Sequence, residues 1–336
     1  MKLEELLNYV QPTEYIVTTE NYSDRFETPV LTAGKTFVLG KTNEREGIYP
    51  ASKQEPVILF DDFTTASQWV DFPFKVKSSA CKILTPKKDV NLKYVYYAMK
   101  SIRFNASQHM RYWISKYSKK EIRYPDSHKQ ALIVESLDKI TNEIKNENRL
   151  LSTLDSLIKS RFNEMFKNIT TIKTIGEFCT LKSGMTFPKE YELSSGDILY
   201  CKVSDMNLEG NEKYLITSKT YVEKSVVKKA LIPKGSICFP KRGAAIGTNK
   251  KRLVIKDTCV DLNVMAVTPN ELVRPEYLFY VFLNIDLLSL CDGSIIPQLN
   301  NTDINPIKVK IPSIDLQDKF IAIVHHIDKL KFINKK

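Results

Sequence analysis

The chain has 336 residues, 43% hydrophobic and 26% charged, with 50 Lys and Arg against 39 Asp and Glu for a net charge of +11. That composition excludes a disordered or low-complexity protein and leaves room for two domains with real cores. No apolar run approaches the roughly 18 residues that span a bilayer. Six scattered cysteines and four histidines without metal-ligand spacing exclude a disulfide frame or a zinc site, and point to a reduced, cytoplasmic protein.

The chain opens with MKLEELLNYV, acidic and amphipathic rather than basic and then apolar as a signal peptide is. KTFVLG (35–40) and VILF (57–60) are short apolar runs rich in β-branched and aromatic residues and are predicted strands. Leu84-Thr85-Pro86 ends a further strand, and KYVYY (93–97) begins a Tyr-rich amphipathic helix. Next comes IRYPDSHKQALIVESLDKI (122–140), a strand end, a proline turn and a helix start. Asp126 and Ser127 are cap candidates, and Ser127 with Gln130 has the spacing of a capping box.

From there Ile133, Leu137, Ile140, Ile144, Leu151, Leu154, Ile158 and Met165 recur at steps of three and four, with Glu147 and Arg161 at the two breaks. No Pro or Gly occurs from Gln130 to Ile175. This is a heptad seam that expects another helix against it. From Ile133 to Met165 the helix would span ~50 Å, more than one turn of B-DNA at ~34–36 Å.

The second half repeats the order of the first. Strand-like DILYCKV (197–203), ICF (237–239), RLVIKD (252–257) and VDLNVMAV (260–267) lead to Val267-Thr268-Pro269 and the helical EYLFY (276–280). VKIPSIDLQDKFIAIVHHIDKL (309–330) then closes the copy. Pro125 and Pro312 are 187 residues apart, as are Gln130 and Gln317, while the T-P turns and Tyr-rich helices keep an offset of 183. Such a period is too long for a solenoid repeat and indicates two similar mixed α/β domains. Leu316, Phe320, Ile323, Ile327 and Leu330 give the second helix its own seam, so an antiparallel pair with the central helix is expected. The second helix is the shorter one, leaving either a partial pairing or a different assembly.

Charge follows the duplication. Residues 1–127 and 169–311 each carry 19 basic and 15 acidic residues, and residues 128–168 carry 7 and 6. Residues 90–120 hold seven Lys or Arg and residues 228–256 hold nine, with no acid in either stretch. Two equally basic domains fit a polyanionic partner.

Catalytic signatures are missing from the sequence. TAGKT (32–36) resembles the end of a phosphate-binding loop, but Pro29 stands where its first Gly belongs, and RGAAIG (242–247) lacks the Lys-Ser/Thr ending. No G-x-G-x-x-G, H-E-x-x-H, EF-hand or Asn/Asp-Pro-Pro-aromatic pattern occurs. Asp61-Asp62 has no His, Cys or third acid at a matching spacing, and turn or surface acids fit it better than chemistry does.

What remains is recognition. Lys241 and Arg242 precede Gly243, with Thr248, Asn249 and Lys250 just after. Arg can read a guanine edge or grip a phosphate, and Gly lets backbone approach a ligand. Gln298, Asn300 and Asn301 in IIPQLNN suit adenine. In the first half the counterparts are Lys35 and Thr36 in the GKT loop, and Asp61, Asp62, Thr64, Thr65 and Ser67 in FDDFTTASQW, where a carboxylate could accept from a cytosine amino group. Lys182, Ser183 and Thr186 in LKSGMTF (181–187) and Lys202 complete the candidate DNA contacts. Two other readings stay open: an RNA-binding module stacking bases on Tyr94, Tyr96, Tyr97, Tyr112, Trp113 and Tyr117, although helical spacing makes Tyr94 and Tyr97 core positions; and a structural adaptor working through its helices.

The duplicated domains, each closed by a strand, a proline and a Gln-led aliphatic helix, resemble the specificity subunit of type I restriction–modification systems. TPVLTAGKTFVLG with PVILFDDFTTASQWVDFPFKVKSSACKIL is similar to one of that family's target-recognition domains, and LKSGMTF, FPKRGAAIG and SIIPQLNNTDINPIKVKIPSIDLQ to another. The resemblance implies an α/β (α+β) fold with target-recognition domains at 1–124 and 169–311, a central spacer helix at 125–168 and a short C-terminal helix at 312–336. The two domains are expected to be separated by long antiparallel coiled-coil-like helices packed through Ile133, Leu137, Ile140, Ile144, Leu151, Leu154 and Ile158 against Phe320, Ile323 and Ile327. It further implies a non-catalytic subunit that reads a split, asymmetric site in double-stranded DNA. Two methyltransferase subunits and motor-nuclease subunits would be its partners. S-adenosylmethionine, ATP and Mg²⁺ would sit on those partners, with no cofactor or metal on this chain and no membrane contact.

Overall fold

In the computed structural model, all residues of 1–336 are described except 35, 108, 109, 228, 229, 292, 294 and 334–336. The chain divides into two compact units, Met1–Asn146 and Glu147–Lys336.

The first unit contains α1 (Leu3–Leu6), β1 (Leu7–Val10), β2 (Thr28–Leu31), β3 (Val38–Thr42), β4 (Val57–Asp61), β5 (Ser67–Val70), β6 (Lys75–Val76), β7 (Cys81–Pro86) and α2 (Leu92–Ser101), then a π-helical turn at Trp113–Tyr117. It ends in the first half of α3 (Ser127–Phe166). Its main sheet is antiparallel in the order β1-β7-β4-β5, beside a three-stranded sheet β3-β2-β6. The unbroken apolar run VILF reflects burial on both faces. Ile58 and Phe60 point into a core shared with Val95 and Met99 of α2, and Val57 and Leu59 into one shared with Leu31 and Phe74.

The second unit holds β8 (Ile172–Thr174), α4 (Ile175–Phe178), β9 (Cys179–Ser183), β10 (Ile198–Cys201), β11 (Tyr214–Leu215), β12 (Tyr221–Val222), β13 (Ile237–Pro240), β14 (Arg252–Val254), β15 (Thr258–Val260) and β16 (Val264–Pro269). It continues through α5 (Pro275–Leu283), α6 (Asn301–Ile304), β17 (Lys308–Lys310) and α7 (Ile314–Ile333). Its main sheet runs β11-β14-β13-β16-β9, with smaller sheets β12-β10-β15 and β17-β8.

The duplication expected from sequence is therefore built into the sheets. The order β9-β16-β13-β14 reproduces β1-β7-β4-β5, and both T-P turns sit at the same rung, Leu7 opposite Pro86 and Cys179 opposite Pro269. The closing strand differs between copies. Lys308–Lys310 pairs with β8 over three residues, whereas near residue 122 the ladder is reduced to one bridge between Lys2 and Glu121, extended by the N-terminal ammonium of Met1 on the carbonyl of Ile122.

The repeated proline and glutamine have one physical cause. Gln130 turns back to donate to the carbonyl of Pro125 at 2.7 Å, and Gln317 does so to Pro312 at 2.9 Å. Each side chain caps a carbonyl that the turn would otherwise leave buried and unpaired. The expected Ser127–Gln130 capping box does not form. The helix begins at Ser127, so the residue before it is the cap, and the Asp126 carboxylate accepts the amide of Lys129 at 3.0 Å.

The helix seam is satisfied only in part. Ile158 and Phe166 of α3 are buried, with Leu154, Phe162 and Met165 packed beside them, against Phe320, Val324 and Ile327 of α7. Phe320 meets Phe162 and Phe166, while Lys331 bonds to Asp155, so the two helices run antiparallel. Ile133, Ile140 and Ile144 stay 40%, 52% and 53% exposed. Among the described residues α7 has 20 residues and α3 has 40. Among the described residues no helix is long and apolar enough to cross a membrane.

Candidate nucleic-acid interface

In the second unit the central strand β13 is followed by Lys241, Arg242 and Gly243, and the segment before α6 folds alongside them. Leu299 donates its amide to Lys241 at 2.9 Å, Gly243 donates to Pro297 at 2.8 Å, and Arg242 bridges to Gln298. Gly243 has φ +72°, a left-handed conformation that glycine adopts without strain and that turns the chain into the short 3-10 helix at Gly243–Thr248. From the edge strand, Ser183 accepts the Lys241 ammonium at 2.8 Å, and Gln298 donates to the Asn300 side chain at 2.9 Å. Five predicted residues, Ser183, Lys241, Arg242, Gln298 and Asn300, thus converge on one sheet end. Arg242 and Asn300 are exposed. Gly184 of LKSGMTF has a separate reason, since a Cβ there would lie 2.1 Å from the carbonyl oxygen of Val260.

Other predicted contacts of this unit lie elsewhere or are occupied. Lys182 donates to the carbonyl of Leu231, and Lys202 is paired with Glu192 at 2.8 Å. Lys250 bonds to Asn207. Asn249 is left-handed, and its side-chain oxygen accepts from Leu287 N and Lys251 Nζ, a loop-closing role. Thr186, Thr248 and Asn301 are exposed. The nine-cation stretch is not all surface. Lys251 and Arg252 are buried on carbonyl oxygens of Ile285 and Met206, and burial pushes the Lys251 ammonium down to about 8.

The first unit offers the same backbone at the end of β4, with different chemistry. Asp62 donates its amide to Ala80 and its carbonyl accepts from Tyr112, both at 2.8 Å. The Asp62 carboxylate is not a surface group. It accepts the Trp113 amide at 2.6 Å and pairs with Lys82 at 3.3 Å, the two side chains being 1% and 2% exposed. Lys82 also donates to Gln11. A carboxylate so enclosed is not available to a base, which corrects the prediction for Asp62. Ser67 is buried too, and its carbonyl receives Lys100. Asp61 organises the turn by accepting the amides of Phe63 and Thr64 at 2.8 and 2.9 Å. Thr64 is exposed at the tip, and Thr65 takes φ +61°. Thr36 is exposed in the β2–β3 loop; Lys35 lies outside the described residues.

Lys82 and Gln11 were missed by sequence reasoning because nothing local couples them to Asp62. The aromatic residues offered as stacking platforms are mostly interior: Tyr94, Tyr112, Trp113 and Tyr117 are buried, and Trp113 and Tyr117 pack on Phe60. That removes the observation behind an RNA-stacking module. Among the described residues no group of three His, Cys, Asp or Glu could hold a metal.

Two domains of one plan, each presenting polar and charged groups at the same sheet end, with a 40-residue helix between them in the chain, define a duplicated recognition protein. The family described as the type I restriction modification DNA specificity domain matches residues 170–336. The EcoR124I/EcoR124II specificity subunit of Escherichia coli is 33% identical over 98% of this chain and 86% of its own length. The chain belongs to the specificity subunits of type I restriction–modification systems. The fold is similar to that of the S subunit of such a system from M. genitalium, with TM-score 0.55 at 17% identity, covering 100% of this chain and 90% of that one. A structure reported for complex assembly and conformational transition of a type I system gives TM-score 0.53 at 11% identity, covering 98% and 93%.

Proposed function

We propose that this chain reads a split DNA sequence for its complex, one half with each domain, and carries out no chemistry itself. The observation that carries the reading is the shared backbone at positions 62 and 241, beside which the first domain exposes Thr64 and Arg111 and the second exposes Arg242 and Asn300. One scaffold with two chemistries reads two different half-sites, so the target is asymmetric. The basic balance of both halves supplies the sequence-independent attraction to phosphates. Methyltransferase subunits, two of them, dock on the helices and hold S-adenosylmethionine; motor-nuclease subunits bring ATP and Mg²⁺. The exposed Ile133, Ile140 and Ile144 suit such docking. The working place is the cytoplasm, where the DNA is.

The test is to express the chain with its methyltransferase partner and map modified adenines across the genome. Two unlike half-sites separated by a fixed gap are expected, and the chain alone should transfer no methyl group. A contiguous palindrome, or methyl transfer by the isolated chain, would overturn the reading.

A further inference from the structure

The turn after the central strand is pinned at the same two points in both domains. Asp62 is held by Ala80 and Tyr112, and Lys241 by Asn263 and Leu299, at 2.8, 2.8, 2.8 and 2.9 Å. These bonds put position 62 on 241, 80 on 263 and 112 on 299. The residue before Leu299 is Gln298, which faces Arg242. The residue before Tyr112 is Arg111. We infer that Arg111 is a specificity-determining residue of the first domain, reading a guanine edge of its half-site from the place that Gln298 holds in the second. The inference rests on the DNA-reading function proposed above.

Arg111 is anchored at its backbone and open at its side chain. Tyr112 and Trp113, which follow it, are buried and bonded to Asp62, so the main chain there is fixed. The guanidinium itself is exposed, and its Nη2 lies 3.3 Å from Ser79 Oγ. Ser79 belongs to the turn that pins Asp62 through Ala80, so one wall of the site aims the fork. Two other arginines show the contrast: Arg252 is buried on carbonyls, and Arg274 is clamped by both oxygens of Asp318 at 2.8 and 3.0 Å. No described carboxylate pairs with Arg111, and Asp62, the buried acid beside it, is occupied by Lys82. A planar fork with free donors matches the O6 and N7 acceptors of guanine, which an ammonium cannot engage in the same bidentate way.

The test uses the chain assembled with its methyltransferase partner and fluorescent duplexes carrying the mapped site, or single base-pair changes in either half. Arg111→Ala should weaken binding of the mapped duplex by about tenfold to a hundredfold. It should also lose discrimination at one G·C pair of one half-site, leave the other half unchanged, and melt like wild type. Arg111→Lys should not restore discrimination. Wild-type affinity and discrimination in Arg111→Ala would reject the role while leaving the DNA-reading function intact. Equal weakening for every duplex, with a salt slope lower by about one, would mark a phosphate contact and overturn the base-reading role. A wild-type complex without preference among the duplexes would overturn both the function and this inference.

Discussion

The phenol of Tyr277 donates a 2.8 Å hydrogen bond to the carbonyl of Lys310, two residues ahead of Pro312. Tyr94 makes the same 2.8 Å bond to Arg123, two residues ahead of Pro125. In both domains the Tyr-rich helix thus ties the sheet layer to the start of a long helix. Tyr277→Phe keeps the packing but leaves the carbonyl short of a donor, and should cost about 1 kcal/mol in urea unfolding, as should Tyr94→Phe. A loss in one domain only would mean that the two ties are not equivalent.

Gln317 is wholly buried, donates to Leu272 and Pro312, and accepts the Arg274 amide at 2.7 Å. Gln317→Ala strands several backbone groups at once and should cost more than about 2 kcal/mol. Calorimetry on the variant checks this, and a change under half that size would show that water replaces the amide.

Asp62 and Lys82 are predicted to act on stability rather than on sequence choice. Asp62→Ala leaves a buried ammonium and should destabilise the first domain by about 3–5 kcal/mol, and removing Lys82 together with Asp62 should recover part of the loss. The double-mutant cycle is read by denaturant unfolding. A stable Asp62→Ala protein with an altered half-site would return Asp62 to the recognition surface.

Much of the architecture is legible in the sequence because periodicity and order are local properties. The offsets of 183 and 187 located the equivalent strands and helices, and the same offset of 187 connects Gln298 to Arg111. Burial of charge is not local. Asp62 is sealed by Lys82 and by Trp113, 51 residues away, and Lys251 by Ile285, 34 residues away. A basic or acidic run therefore reads as surface until the fold closes over it. The heptad pattern of α3 marks which face is apolar, but Ile140 and Ile144 stay 52% and 53% exposed, so the pattern shows the face and not how much of it is covered.

Glu44 gives the first domain an acid dependence. Burial works to raise its pKa, but Lys75 at 2.9 Å and the Thr18 and Thr19 donors win and hold it down at about 2. Because the folded pKa lies below the unfolded value, the stabilisation is present above pH ~4.5 and is lost as the pH falls toward 2. Glu44→Gln should flatten that part of the stability–pH curve. An unchanged acid limb would mean that the Lys75 pair contributes nothing.

Ile140 and Ile144 lie on the uncovered half of α3. Changing both to Glu should leave the melting temperature of the chain within about a degree or two of wild type, because both side chains are half exposed and belong to no core cluster among the described residues, yet prevent co-purification with the methyltransferase partner. Normal assembly of the variant would place docking elsewhere.

The claim that each domain reads its own half is tested most directly at Arg242. Genome-wide adenine methylation is mapped in cells carrying the wild-type chain or Arg242→Ala, each with its methyltransferase partner. The expected outcome is one half-site relaxed at a single position, with the other half and the gap unchanged. Identical maps, or a change spread over both halves, would contradict it.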